Sequence, residues 1–223
     1  MRRLLLWLGV LTIGSAPVSA TPYWIAYEAN DFPENEGWER QISNGGAVRS
    51  IENGLLYLDT TADLWSNDFY RLSRNIDPFA GETFRAEWNL RVDAIVGERD
   101  VEPSVGVFSD DAWAIGLEFG RDHLVSVFES YEAVFYEPDM PHDFVMTSND
   151  MREYILYLDG TMARKGSFVE VLTPGFVTWG SGMLGVSSRN HWDFFRFGVV
   201  PEPGTAATLA GLSAACVLRK RSV

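Results

Sequence analysis

Between Phe84 and Val92 apolar and polar residues alternate without a break. Phe84, Ala86, Trp88, Leu90 and Val92 hold one parity; Arg85, Glu87, Asn89 and Arg91 hold the other. Successive side chains of a strand point to opposite faces, so this period of two predicts a strand with one buried face. Trp113, Ile115, Leu117 and Phe119 repeat the pattern, with Ala114, Gly116 and Glu118 between them. Val105–Phe108, turned by Asp110-Asp111, and Leu124–Phe128, entered through Gly120-Arg121-Asp122, complete a predicted four-strand meander. Asn53-Gly54 predicts a hairpin joining Val48–Ile51 to Leu55–Leu58, because both residues tolerate the positive φ of a type I′ turn. Asp159-Gly160 does the same between Tyr154–Leu158 and Thr161–Arg164.

Tyr23–Tyr27 reads as an edge strand, Trp38–Ile42 as a short one, and Gly182–Ser187 and Trp192–Val200 as the closing strands. No stretch of the body has a sustained helical period, and no repeat or linker divides it. Short strands with turns at close intervals predict one all-β domain over residues 21–200, a two-sheet antiparallel jelly-roll sandwich.

The two ends follow other rules. Residues 1–20 combine Arg2-Arg3, an apolar run from Leu4 to Ile13 and the small-residue site Val18-Ser19-Ala20. That is the layout of a secretory signal peptide cut after Ala20, and it predicts export through the secretion machinery. At the other end stand Pro201-Glu202-Pro203, an apolar run from Thr205 to Leu218, and Arg219-Lys220-Arg221. The two prolines lack backbone donors and predict a break in the preceding strand. The run has about fourteen residues where a span needs about twenty, and the basic triplet would stay in the cytoplasm. Residues 201–223 resemble the PEP-CTERM sorting signal of exported bacterial proteins. The resemblance implies an exosortase-type membrane peptidase as partner, a transient inner-membrane anchor, and a final place in the envelope or outside the cell.

Charge narrows the choice of partner. The 223 residues carry a net charge of −13, and the body is more acidic still, because Arg2, Arg3, Arg219, Lys220 and Arg221 lie in the two ends. Phosphate backbones are bound through clustered Lys and Arg, so nucleic acid is excluded. The single cysteine, Cys216, lies in the C-terminal run, which removes thiol chemistry and disulfides from the body. Stability must come from burial, to which 46% apolar and 13% aromatic content is suited.

The alternating strands, the hairpin Glu153 to Gly160 and the aromatic last strand resemble laminin-G-like, concanavalin-like jelly rolls. The resemblance implies binding sites on a concave face or on rim loops, and calcium on a rim loop. Asp110, Asp111, Asn149 and Asp150 offer the hard oxygen ligands for such an ion, although their place in turns accounts for them without one. No cofactor is otherwise expected. His123, His142 and His191 show no metal-ligand spacing, and no nucleophile elbow or phosphate loop occurs.

One pattern is enzyme-like. Glu98, Asp100 and Glu102 at alternate positions resemble the catalytic strand of laminarinase-type glycoside hydrolases, which implies Glu98 as nucleophile and Glu102 as acid/base. Gly97, Arg99 and Pro103 argue instead for a solvated loop. Trp65, Tyr70 and Trp113, near turns, are candidates to stack on sugar rings. The sequence thus reads as an exported, non-enzymatic module that adheres to or binds extracellular polysaccharide in an envelope or biofilm matrix. A laminarinase-type hydrolase and a purely structural matrix component are the alternatives.

Overall fold

A computed structural model describes residues 23–128, 132–172, 175–181 and 185–202. The first strands are β1 (Tyr23–Tyr27), β2 (Glu39–Ser43), β3 (Val48–Glu52), β4 (Leu55–Asp59) and β5 (Asn67–Ser73). Then come β6 (Glu82–Gly97), β7 (Ser104–Phe108), β8 (Trp113–Phe119), β9 (His123–Ser126), β10 (Val134–Phe135) and β11 (His142–Ser148). The last are β12 (Glu153–Leu158), β13 (Thr161–Ser167), β14 (Val169–Glu170), β15 (Phe176–Ser181) and β16 (Val186–Pro201). The helical content among the described residues is one 3-10 turn at Pro33–Glu36.

The strands form two antiparallel sheets. The first runs β13-β12-β11-β6-β16-β4-β3, and β1 pairs with β16 beyond the end of β4; the second runs β10-β9-β8-β7-β15-β5-β2, with β14 on β8. The all-β sandwich expected from the alternation is present. Of the four strands expected in one meander, β7, β8 and β9 pair in sequence, but β6 lies in the other sheet, because residues 98–103 carry the chain across the sandwich. Asn53-Gly54 and Asp159-Gly160 turn their hairpins with both residues at positive φ.

Alternation explains the layering. Phe84, Ala86, Trp88 and Leu90 of β6 are buried, while Arg85, Glu87 and Arg91 lie half-buried on the other face. The interior is aromatic. Trp179 of β15 stacks on Phe195 of β16 at 5.4 Å between ring centroids, joining the sheets, and Trp88 of β6 stacks on Phe144 of β11 at 5.6 Å. Each ring hides a large apolar area from water, which offsets the missing disulfides.

The break at the proline motif comes later than expected. Pro201 is still in β16, opposite Glu82, and the Glu202 N–H donates to the Gly81 carbonyl at 3.0 Å. A proline is tolerated at the end of a ladder, where its missing donor leaves no neighbour unpaired.

Candidate functional site

On the outer face of the second sheet the register aligns three rows. Gln41, Phe69, Gly180, Ser104 and Glu118 make one; Glu39, Arg71, Thr178, Gly106 and Gly116 the next; Ser73, Phe176, Phe108 and Ala114 the third. The middle row has two glycines where a strand would ordinarily place side chains. A groove of about 310 Å³ lies over this face, lined by Phe69, Arg71, Phe108, Glu118, Phe176 and Thr178 among others. Its aromatic side is Phe108 stacked on Phe176 at 4.2 Å. Val127 and Phe128 also line it, tied to the floor by the Val127 N–H, which donates to the Gly116 carbonyl at 2.8 Å.

The glycines are required by what lies above them. A Cβ on Gly106 would meet Cε2 of Phe108 and Cγ2 of Thr178 at 2.8 Å, and one on Gly116 would meet Cγ2 of Val127 at 3.0 Å. Such distances fall inside van der Waals contact.

Glu118 is the buried acid of this face. Its side chain is 1% exposed, and burial pushes its carboxyl above the ordinary glutamate value of 4.5 against the opposing pull of Arg99. The Arg99 guanidinium donates to both carboxylate oxygens. Arg99 also lines a second, larger cleft of about 820 Å³ at the rim, together with Glu98, Asp100, Arg121, Asp122 and His123. Through the Arg99–Glu118 pair the rim cleft adjoins the groove. In the cleft, Nδ1 of His123 lies 2.7 Å from Asp122 and its Nε2 lies 3.8 Å from Asp100.

The three acids singled out in the sequence are therefore split. Residues 98–103 form a loop between β6 and β7, outside any strand. Glu98 and Asp100 open to the rim cleft, while Glu102 is wholly buried inside the sandwich. There it accepts from the Ser181 hydroxyl at 3.2 Å, within a buried network that includes Ser188, Asn190 and Trp192. A shared face for all three would need the strand that the Gly97 and Pro103 flanks prevent.

Among the aromatic candidates, Trp65 is 55% exposed, and its carbonyl accepts from Ser43 and Asn44. Trp113 is half-buried with the Arg152 guanidinium over its ring at 5.3 Å. Tyr70 is not available to a ligand: it is fully buried against Trp179, and burial first of all pushes its hydroxyl up to about 12. Its parity in β5 is the inward one, which proximity to a turn concealed. None of the three lines the groove.

Three of the proposed calcium ligands accept hydrogen bonds from the chain itself. Asp110 accepts from the Gly175 N–H at 2.8 Å, Asp150 from the N–H groups of Arg152 and Glu153, and Asn149 from the Thr83 hydroxyl. Among the described residues no group of three His, Cys, Asp or Glu side chains is placed to hold a metal ion. Of the sorting residues, Pro203, Arg219, Lys220 and Arg221 lie outside the described residues, as does Ala20. No helix among the described residues is long and apolar enough to cross a membrane.

Reading for motifs missed Arg71, Phe108, Glu118 and Phe176. A signal for Glu118 was present. Ala114, Gly116 and Glu118 share the outward parity of β8, and two small residues beside one acid on a sheet face mark a floor rather than a solvated surface.

Together these features define an antiparallel two-sheet sandwich of the concanavalin-like kind, with a groove across one outer sheet face. No protein-family profile matches the chain, and no curated protein matches its sequence. Solved structures do match its fold. A carbohydrate esterase from a Shiga toxin-encoding bacteriophage aligns over 82% of this chain and 100% of its own, with a TM-score of 0.62 and 8% identity. A β-agarase A in complex with oligoagarose aligns over 84% of this chain and 98% of its own, at 0.57 and 11%. A Crh5 transglycosylase in complex with NAG aligns over 80% and 87%, at 0.53 and 11%. At such identities the likeness is one of fold. The expectation of a non-enzymatic body is corrected to this extent: the fold is shared with chains solved as enzymes of carbohydrate chemistry, so the sandwich gives no ground for excluding catalysis.

Proposed function

We propose that the sandwich takes a polysaccharide chain along the groove and cleaves a glycosidic bond, with Glu118 as the acid. The carrying observation is a buried carboxyl, held above its ordinary pKa by burial, on the wall of an aromatic groove. Stacked phenylalanines suit the apolar faces of sugar rings, and a carboxyl whose proton affinity is raised by burial is suited to give a proton to the leaving oxygen. The bond between the anomeric carbon and the bridging oxygen breaks, the proton of Glu118 goes to the departing oxygen, and water gives its hydroxyl to the anomeric carbon and its other proton to a second carboxylate. Glycoside hydrolysis needs a second carboxylate; Glu98 and Asp100, in the adjoining rim cleft, are the candidates. The shared fold of an agarase solved with oligoagarose and a transglycosylase solved with NAG supports the substrate class.

The test is release of reducing ends from a panel of β-glucans, agaroses and matrix polysaccharides. Glu118→Gln should lower the rate by about two to four orders of magnitude, the usual share of a general acid, while glycan binding persists. Turnover unchanged in Glu118→Gln, or no turnover of any glycan, would refute the catalytic role.

We further propose that the protein is exported and cut at Pro201-Glu202-Pro203. The described chain leaves the sheet within this motif, which favours access by a peptidase. Intact-mass measurement of exported protein should show a shortened C-terminus; a chain ending at Val223 in the medium would oppose it.

A further inference from the structure

Among the described residues, eight arginines form ion pairs with carboxylates. Such pairing is expected in a chain with 31 acidic and 18 basic residues. Arg71 departs from it. Its guanidinium carbon lies 4.0 Å from the ring centroid of Phe176, in the groove wall, and its buried Nε–H makes no hydrogen bond. Glu39 stands opposite in the register but forms no ion pair with it. A guanidinium over a ring still has N–H donors to offer at its edge, and two of them match the coplanar oxygens of a carboxylate.

We propose that Arg71 is a subsite for a sugar carboxylate, so that the groove prefers a glycan carrying uronate residues. The proposal rests on the glycan reading of the groove given above. Charge also limits how many uronates the glycan carries. A protein of net charge −13 repels a dense polyuronate at long range, whereas one cation in an apolar groove accommodates one anion locally. The fitting ligand is a largely neutral polysaccharide with isolated uronates, one of which meets Arg71 while neutral neighbours lie along Phe108 and Phe176.

The experiment is a carbohydrate array carrying neutral glucans, xylans and galactans, sparsely uronate-bearing counterparts, and polyuronates, probed with the wild-type chain, Arg71→Gln and Arg71→Lys. Wild type should prefer the sparsely charged glycans. Arg71→Gln should lose that preference by about tenfold to a hundredfold, the usual contribution of a charged hydrogen bond, read as the ratio of uronate-bearing to neutral glycan bound by the same variant. Arg71→Lys, which keeps the charge but not the fork, should fall between. Neutral glycans bound without a uronate preference, or a preference that survives Arg71→Gln, would overturn the subsite and leave the glycan groove intact. Binding of no glycan at all would overturn the groove reading and the subsite with it. Circular dichroism of each variant excludes unfolding as the cause of a loss.

Discussion

Gly106→Ala tests the groove at its floor. The backbone of Gly106 is not at positive φ, so alanine meets no conformational penalty there. The difficulty is space: the new methyl would stand 2.8 Å from Cε2 of Phe108 and from Cγ2 of Thr178, where carbon atoms prefer about 3.5–4.0 Å. Neither neighbour yields freely. Phe108 is held by its 4.2 Å stack on Phe176, and Thr178 is β-branched and stiff at χ1. Overpacking of this kind costs about 1–3 kcal/mol, offset by about 0.5–1 kcal/mol from removing a glycine from a strand interior. A net loss of about 1–2 kcal/mol should lower the melting temperature by roughly 2–8 °C for a body of this size. The same methyl raises the floor and displaces the Phe108 ring, so glycan affinity should fall about tenfold, equivalent to ~1.4 kcal/mol. Thermal unfolding by circular dichroism and titration calorimetry with the glycan that wild type binds read the two effects. A variant as stable as wild type would refute the packing argument. A less stable variant with unchanged affinity would remove this face from function.

Two further predictions concern the core and the acid. Trp179 is fully buried, has Tyr27, Trp38, Tyr70, Trp192 and Phe195 within 4.8 to 5.6 Å between centroids, and its indole N–H makes no hydrogen bond. Trp179→Ala should cost about 3–5 kcal/mol in urea unfolding. Trp179→Phe should cost less than about 2 kcal/mol, because losing an unbonded buried N–H offsets the smaller ring; equal costs would contradict this. Glu118 holds its proton more tightly folded than unfolded, so its contribution to stability is complete below pH 4.5 and is lost as pH rises through the raised value. The stability difference between wild type and Glu118→Gln, measured by urea unfolding from pH 4 to 8, should fall with rising pH; a rise would show that the Arg99 pairing outweighs burial.

The sheet architecture was legible because it rests on local rules. A period of two from Phe84 to Val92 and from Trp113 to Phe119 dictates which face is buried, and Asn53-Gly54 and Asp159-Gly160 dictate their turns through the φ that each residue permits. Excess acid and the absence of cysteine from the body likewise follow from counting alone. The site obeys no such local rule. Arg71, Gly106, Phe108, Glu118 and Phe176 come from β5, β7, β8 and β15, and only the pairing of β5 with β15, β15 with β7 and β7 with β8 sets them side by side. Glu98, Asp100 and Glu102 illustrate the converse. Neighbours in sequence, they lie on a loop whose path sends two outward and one into the interior, because loop geometry does not preserve the alternation of a strand. The sequence by itself determined what kind of sheet each segment joins and which side it buries. Tertiary pairing decided which outward residues meet, and therefore where burial raises a carboxyl's proton affinity and where an arginine lies over a ring and not against a carboxylate.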